Sequence, residues 1–192
     1  MTQPRLEFVL AAASVLAATV PARAQAPDSS LTGFPALASE FVYTSLAFSP
    51  ASATQSGLHD GTDPYTGRRV HFDSLLDSFS PAAIAKQRAY FEKVQARLAA
   101  MNRSRLDAQT QADYDVVANA AGFALFNLTR ERFHERKPQL YAEDLGNTLF
   151  SNIALEYAEK NARASDLAAR VAAVPGFLAV ARKNLQATNE IY

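Results

Sequence analysis

The chain is 192 residues long, 20.8 kDa, which is enough for one globular domain and too short for two of ordinary size. Hydrophobic residues make up 48% and charged residues 20%, which excludes a disordered chain, and with only 7 Gly and 9 Pro it is neither collagen-like nor low-complexity. Lys+Arg and Asp+Glu stand at 19 each, without the basic excess of a nucleic-acid binder, and the absence of Cys excludes disulfides, Cys-ligated zinc and thiol catalysis.

Residues 1–24 read as a cleavable secretory signal. Arg5 supplies the positive start, Phe8 to Val20 the apolar run, and Ala22-Arg23-Ala24 the small-x-small pattern before the cut. The run is shorter than the roughly 20 residues a spanning helix needs. Cleavage after Ala24 removes Arg5, Arg23 and Glu7 and leaves 17 basic and 18 acidic residues, a net charge of −1. The expected location is secreted or periplasmic, with no membrane association once the signal is gone. Residues 25–33 form a polar linker.

From Phe34 the pattern is helical. Leu37, Phe41, Thr44 and Phe48 share one face of a first helix. Ser49-Pro50 stops it and starts a short second helix to Ser56, ended by Gly57. Leu58 to His71, with Gly61, Pro64 and Gly67, reads as an irregular surface loop, and Phe72 to Leu76 as one helical turn. Ser80-Pro81 opens the clearest helix, with Ile84, Phe91, Val94, Leu98 and Met101 facing a core. Asp107 or Thr110 caps the next, which runs to about Phe133. Its wide apolar circumference predicts a central helix covered on several sides. Pro138 closes that region, and Leu145 to Glu159 gives a further helix with Leu149, Ile153 and Tyr157 aligned. A last helix aligns Leu167, Val171, Val174, Leu178, Ala181 and Leu185, and Pro175 within it predicts a kink rather than a stop. No stretch alternates long enough to predict a strand. The fold class expected is all-α, an irregular array of about six or seven helices.

Few catalytic parts are present. The three histidines are His59, His71 and His134. His134-Glu135 is half of an HExxH zinc helix, but Pro138 stands where the second His is needed. The pair reads as the polar end of a helix, where a His favours the negative terminus. The stretch Thr54 to Asp60 offers a candidate cleft loop, with His59 beside Asp60 and Asp63 further on. A structural turn is the favoured reading of those aspartates. No G-x-S-x-G elbow and no phosphate-binding glycine motif occurs. With no Cys and with histidines dispersed along the chain, a tight zinc site is not expected.

Two segments carry a resemblance. Phe48-Ser49-Pro50-Ala51-Ser52-Ala53-Thr54-Gln55-Ser56-Gly57-Leu58-His59-Asp60 is similar to a "P-x-x-A-T-x-x-G-x-H-D" segment. Arg170-Val171-Ala172-Ala173-Val174-Pro175-Gly176-Phe177-Leu178, followed by Ala181-Arg182-Lys183-Asn184-Leu185, is similar to an "R-L-x-x-I-P-x-F-L … A-R-x-N-L" segment, and Asp113-Tyr114-Asp115 opens a helix between them. In this order they resemble the N-terminal part of domain-of-unknown-function family 885, large secreted bacterial proteins with a helical, zinc-metallopeptidase-like fold.

The resemblance implies that residues 34–192 are the N-terminal part of a larger domain. It also implies a parent hydrolase acting on a peptide or small molecule, whose zinc ligands lie downstream of these segments. No catalytic or metal residue is carried over to this chain, which by itself is expected to hold no cofactor and to be inactive. The alternative is a stand-alone periplasmic helical binding or interaction module. Self-association through exposed apolar helix faces is expected, and no nucleic-acid partner is.

Overall fold

The computed structural model describes residues 32–185, so the signal sequence and the cleavage site at Ala24 lie outside the described residues. The elements are α1 (Gly33–Phe48), α2 (Pro50–Gln55), β1 (Asp60–Thr62), β2 (Arg69–His71), a 3-10 turn (Phe72–Ser74), α3 (Pro81–Ala99), α4 (Ala108–Phe126), α5 (Phe133–Arg136), α6 (Pro138–Ala154) and α7 (Lys160–Asn184). Six of the helices have six residues or more and α5 has four, so the all-α expectation holds.

The helix starts follow local chemistry. The Ser49 hydroxyl accepts from Ser52 N (3.4 Å), Ser80 from Ala83 N (3.2 Å) and Asp107 from Thr110 N (3.0 Å). In each case a side-chain oxygen satisfies a first-turn N–H that lacks an intrahelical partner. Pro50, Pro81 and Pro138 all sit at the first positions of their helices, where the missing N–H costs nothing.

The main core lies between α1, α3 and α4. Phe34, Leu37, Phe41 and Phe48 meet Phe91, Val94 and Leu98, with Val117 and Ala121 from α4 closing the layer. Each large side chain buried there contributes about 1.5–3 kcal/mol by leaving water. A second assembly packs α6 against α7 and sets α2 and the 3-10 turn on both. Its apolar parts are Ala47, Ala53, Leu58 and Phe72 at one end, and Tyr141, Phe177 and Ala181 at the other.

Several sequence expectations are corrected. The Leu58–His71 loop contains an antiparallel hairpin with Asp60 opposite His71 and Thr62 opposite Arg69. Strands of three residues are too short for an alternating pattern to show. Pro138 opens α6 instead of closing the region before it. The helix expected to reach Phe133 leaves α geometry at Asn127, makes a π turn to Glu131, and breaks at Arg132, a non-glycine residue at φ 50°. A left-handed residue cannot continue a right-handed helix.

α4 is not covered on several sides: Phe123 and Phe126 are each 48% exposed. In α7 the buried residues are Arg170, Phe177 and Ala181, while Val171 and Leu178 of the expected apolar stripe are exposed. The helix continues through Pro175 without a stop. By length and composition α7 is also long and apolar enough to cross a membrane. Here, however, its middle carries a charged residue that is locked into the second assembly.

Candidate functional site

Arg170 is fully buried at the junction of α2, the 3-10 turn, α6 and α7. Its guanidinium donates to six oxygens. Nε reaches Leu75 O (3.0 Å). One terminal nitrogen reaches Thr148 O (2.7 Å), Ser151 Oγ (3.0 Å) and Asn152 Oδ1 (2.5 Å). The other reaches Thr54 Oγ1 (2.9 Å) and Phe72 O (3.2 Å). All six acceptors are neutral, so geometry rather than an ion pair holds the group, while Asp73, Asp77 and Asp166 supply compensating charge nearby. Burial pulls its pKa down and those carboxylates oppose the change.

Above this network lies a cluster of histidines and aspartates. The hairpin register sets Asp60 against His71, and His71 Nδ1 donates to Asp60 Oδ1 (3.0 Å). The 3-10 turn that follows β2 carries Asp73, which is fully buried and accepts from His59 Nδ1 at 2.9 and 3.1 Å. Asp166, on α7, accepts from the Tyr157 hydroxyl (3.0 Å). Asn152 in turn donates to Tyr157 (2.7 Å) and to Asp73 O (3.0 Å), tying the cluster to the arginine network. His59 stacks on the Tyr157 ring at 5.1 Å. His71 Nε2, Asp73 and Asp166 each offer one ligand atom, all within 4.8 Å of one another, a set that could hold a metal ion.

Electrostatics mark the same region. Burial acts to lower the His71 pKa, but its hydrogen bonds to Asp60 and Asp166 outweigh it and the net direction is upward. Burial, aided by the Asp166 carboxylate, pushes the Tyr157 phenol up to about 12.

Beside Arg170 the carboxyls of Asp77 and Asp144 lie buried next to each other. Burial first, and then the neighbouring Asp77, push Asp144 up to about 9, and burial raises Asp77 too, so the pair together holds a proton at neutral pH. A carboxyl whose folded pKa is raised contributes stability that is full below its unfolded pKa and is lost as pH rises through the folded one. The window here runs from about 4 to about 9. Asp144→Asn keeps a donor toward Asp77 and cannot ionise. It should therefore raise the unfolding free energy relative to the parent at pH 9 by about 1–3 kcal/mol, with the gain vanishing toward pH 4. Denaturant titrations at the two pH values measure this; a gain equal at both would rule the shared proton out.

The candidate cleft residues land in different places. Thr54 is buried, its hydroxyl donating to Pro50 O (3.0 Å) and accepting from Arg170, so it lines no cleft. His59 lies in the cluster, but its partner is Asp73, fourteen residues on, and not the adjacent Asp60. Successive side chains of an extended segment point to opposite faces, so His59 and Asp60 diverge. Asp60 is exposed and serves His71. Asp63 does act as a turn residue, accepting from Tyr65 N (2.8 Å).

His134 is buried, not an exposed polar helix end, and its carbonyl accepts from the Tyr141 hydroxyl (2.5 Å). Burial lowers its pKa, while the hydrogen bond from Arg132 lowers that of Glu135. The two border a cleft of about 880 Å³ rimmed by Arg88, Arg136 and Lys183. Sequence reasoning missed Asp73, Asp166, Tyr157 and Arg170 as parts of one site. The one available signal was Arg170, which opens the second resemblance segment. In the fold that segment meets the first directly, through the Thr54–Arg170 bond.

The model of a family described as "Bacterial protein of unknown function (DUF885)" matches residues 50–191. A solved structure from Shewanella oneidensis, described as "a putative lipoprotein of unknown function", is similar in fold. Its TM-score is 0.68 at 22% identity, over 83% of this chain and 27% of that one. The chain thus matches only about a quarter of the length of that protein. No curated protein matches the chain.

Proposed function

We propose, from the premise that the chain belongs to the DUF885 family, that it is the front portion of a secreted or periplasmic, metallopeptidase-like hydrolase. It would form one wall of the cleft that receives a peptide or small-molecule substrate, with the zinc ligands of the whole enzyme outside this chain. The observation that carries the reading is the apolar surface left on three helices. Phe150 (64% exposed) and Ile153 (62%) on α6 stand out, joined by Phe123 and Phe126 on α4 and Val171 and Leu178 on α7. Single exposed apolar residues are ordinary, but several large ones on each of three helices mark surface that further structure covers. The match to about a quarter of a longer fold agrees with this. An envelope location is supported by the apolar run Phe8 to Val20 and by the description of the Shewanella protein as a lipoprotein.

Two measurements test the proposal. The reading frame downstream of Tyr192 should encode an HExxH segment. The purified chain should bind a hydrophobic dye and sediment as a concentration-dependent associating species. A monodisperse, dye-free monomer with a cooperative melt, and no HExxH downstream, would leave the stand-alone helical module as the correct reading.

A further inference from the structure

We propose that His71, Asp73 and Asp166 form a site for a divalent transition-metal ion, zinc by its ligand chemistry, with one coordination position left to solvent. This site lies within the chain and does not involve the zinc ligands proposed above to lie outside it, so it stands or falls independently of that reading.

The spacing of the three ligand atoms is the first reason. His71 Nε2 lies 3.4 Å from Asp166 Oδ2 and 3.5 Å from Asp73 Oδ2. Charge-assisted hydrogen bonds close to about 2.7–2.9 Å, so these separations are long for an N–H donating to a carboxylate. The other histidine contacts of the cluster, at 2.9 and 3.0 Å, show that the fold permits shorter ones. Tetrahedral bonds of about 2.0–2.1 Å to a zinc ion place neighbouring ligand atoms about 3.3–3.4 Å apart, which matches the two distances observed.

The supporting hydrogen bonds are the second reason. A metal-binding imidazole offers a bare nitrogen and donates its other N–H to a carboxylate or carbonyl. With the Nδ1 side of the His71 ring turned to Asp60, Nε2 is the nitrogen that faces Asp73 and Asp166. Asp73 is held by His59, and Asp166 by Tyr157. Each ligand therefore comes from a different element, β2, the 3-10 turn or α7, and each is oriented by a partner that is not itself a ligand.

Charge and access complete the case. The carboxyls of Asp60, Asp73 and Asp166 gather on one side of the single guanidinium of Arg170, an acidic surrounding that favours a cation. Asp73 is fully buried and the Asp166 side chain is 12% exposed, while that of His71 is 44% exposed. The site thus opens to solvent on the His71 side, where an ion enters and a water completes the coordination.

The test uses the full chain, stripped with chelator and titrated with zinc chloride by calorimetry. One equivalent should bind. His71→Ala and Asp166→Asn should each weaken binding at least tenfold, and Asp60→Asn about tenfold, the range found for orienting partners. Cobalt(II) in place of zinc should give the intense visible bands of a tetrahedral site, lost in His71→Ala. Absence of stoichiometric binding overturns the proposal, as does binding that survives both His71→Ala and Asp166→Asn. If His71→Ala loses its helical circular-dichroism signal, Asp60→Asn decides: it sits on the exposed rim, and an unchanged affinity there overturns the site.

Discussion

Arg170→Leu is expected to destabilise the chain by about 3–5 kcal/mol, the range for removing one side of a buried charged network. The leucine would fill part of the volume but leave six oxygens without their donor, namely the carbonyls of Phe72, Leu75 and Thr148 and the side chains of Thr54, Ser151 and Asn152. Phe72 O and Thr148 O keep donors in Leu75 N and Ser151 Oγ, while each acceptor left unpaired, buried and without water, costs its desolvation. The negative charge of the Asp73–Asp77–Asp166 region would also lose its nearest cation. A whole domain has a margin of only about 5–15 kcal/mol, so this one change should shift the denaturant midpoint far down or prevent soluble expression. Arg170→Lys should fall between the two, because one ammonium with three donors cannot serve a planar fan of six acceptors. Equal midpoints for the parent and Arg170→Leu would mean that the junction is held by apolar packing alone.

Gly61→Ala is the second change with a large expected effect. Gly61 lies in β1 opposite Val70, and a Cβ built on it would stand 2.6 Å from Cε2 and 2.9 Å from Cζ of Phe72. Phe72 is buried to 1% exposure, its ring packed with Ala47, Ala53 and Leu58, so it has no free direction in which to yield. Forcing one methyl into a filled core costs about 1–3 kcal/mol. The displacement would propagate, because the Phe72 carbonyl accepts from Arg170, and His71 and Asp73 flank it in the chain. Gly61→Ala should therefore lower the unfolding midpoint and disturb the His59–Asp73 pairing together. Ala substitution at Gly146, where a Cβ meets nothing within 4 Å, is the control. If both variants melt with the parent, the hairpin is looser than its packing indicates.

How far the sequence could be read depended on the range of the interaction concerned. The helix starts at Ser49, Ser80 and Asp107 were legible because each is decided within three residues, by a side-chain oxygen and a nearby N–H. The core face of α3 was legible for a similar reason: Phe91, Val94 and Leu98 recur at helical spacing and are buried together. The same periodicity failed in α7, because the residue facing inward is charged. A hydrophobic pattern places Arg170 outside, and only its six partners make burial affordable.

At the site, the histidines looked dispersed because their partners are remote. His71 meets Asp166 from 95 residues away, and Arg170 meets Phe72 from 98. The adjacency of His59 and Asp60 suggested a pair, yet the strand pleat sends them apart and pairs each with a residue more distant in sequence. By itself, then, the sequence determined the helical class, the caps at Ser49, Ser80 and Asp107, the inward face of α3 and the two family segments. The tertiary structure alone decided that those segments bond through Thr54 and Arg170. It also decided that β2, the 3-10 turn and α7 bring His71, Asp73 and Asp166 together. A cap is settled by neighbours along the chain, whereas a buried arginine or a ligand set exists only once distant segments have packed around it.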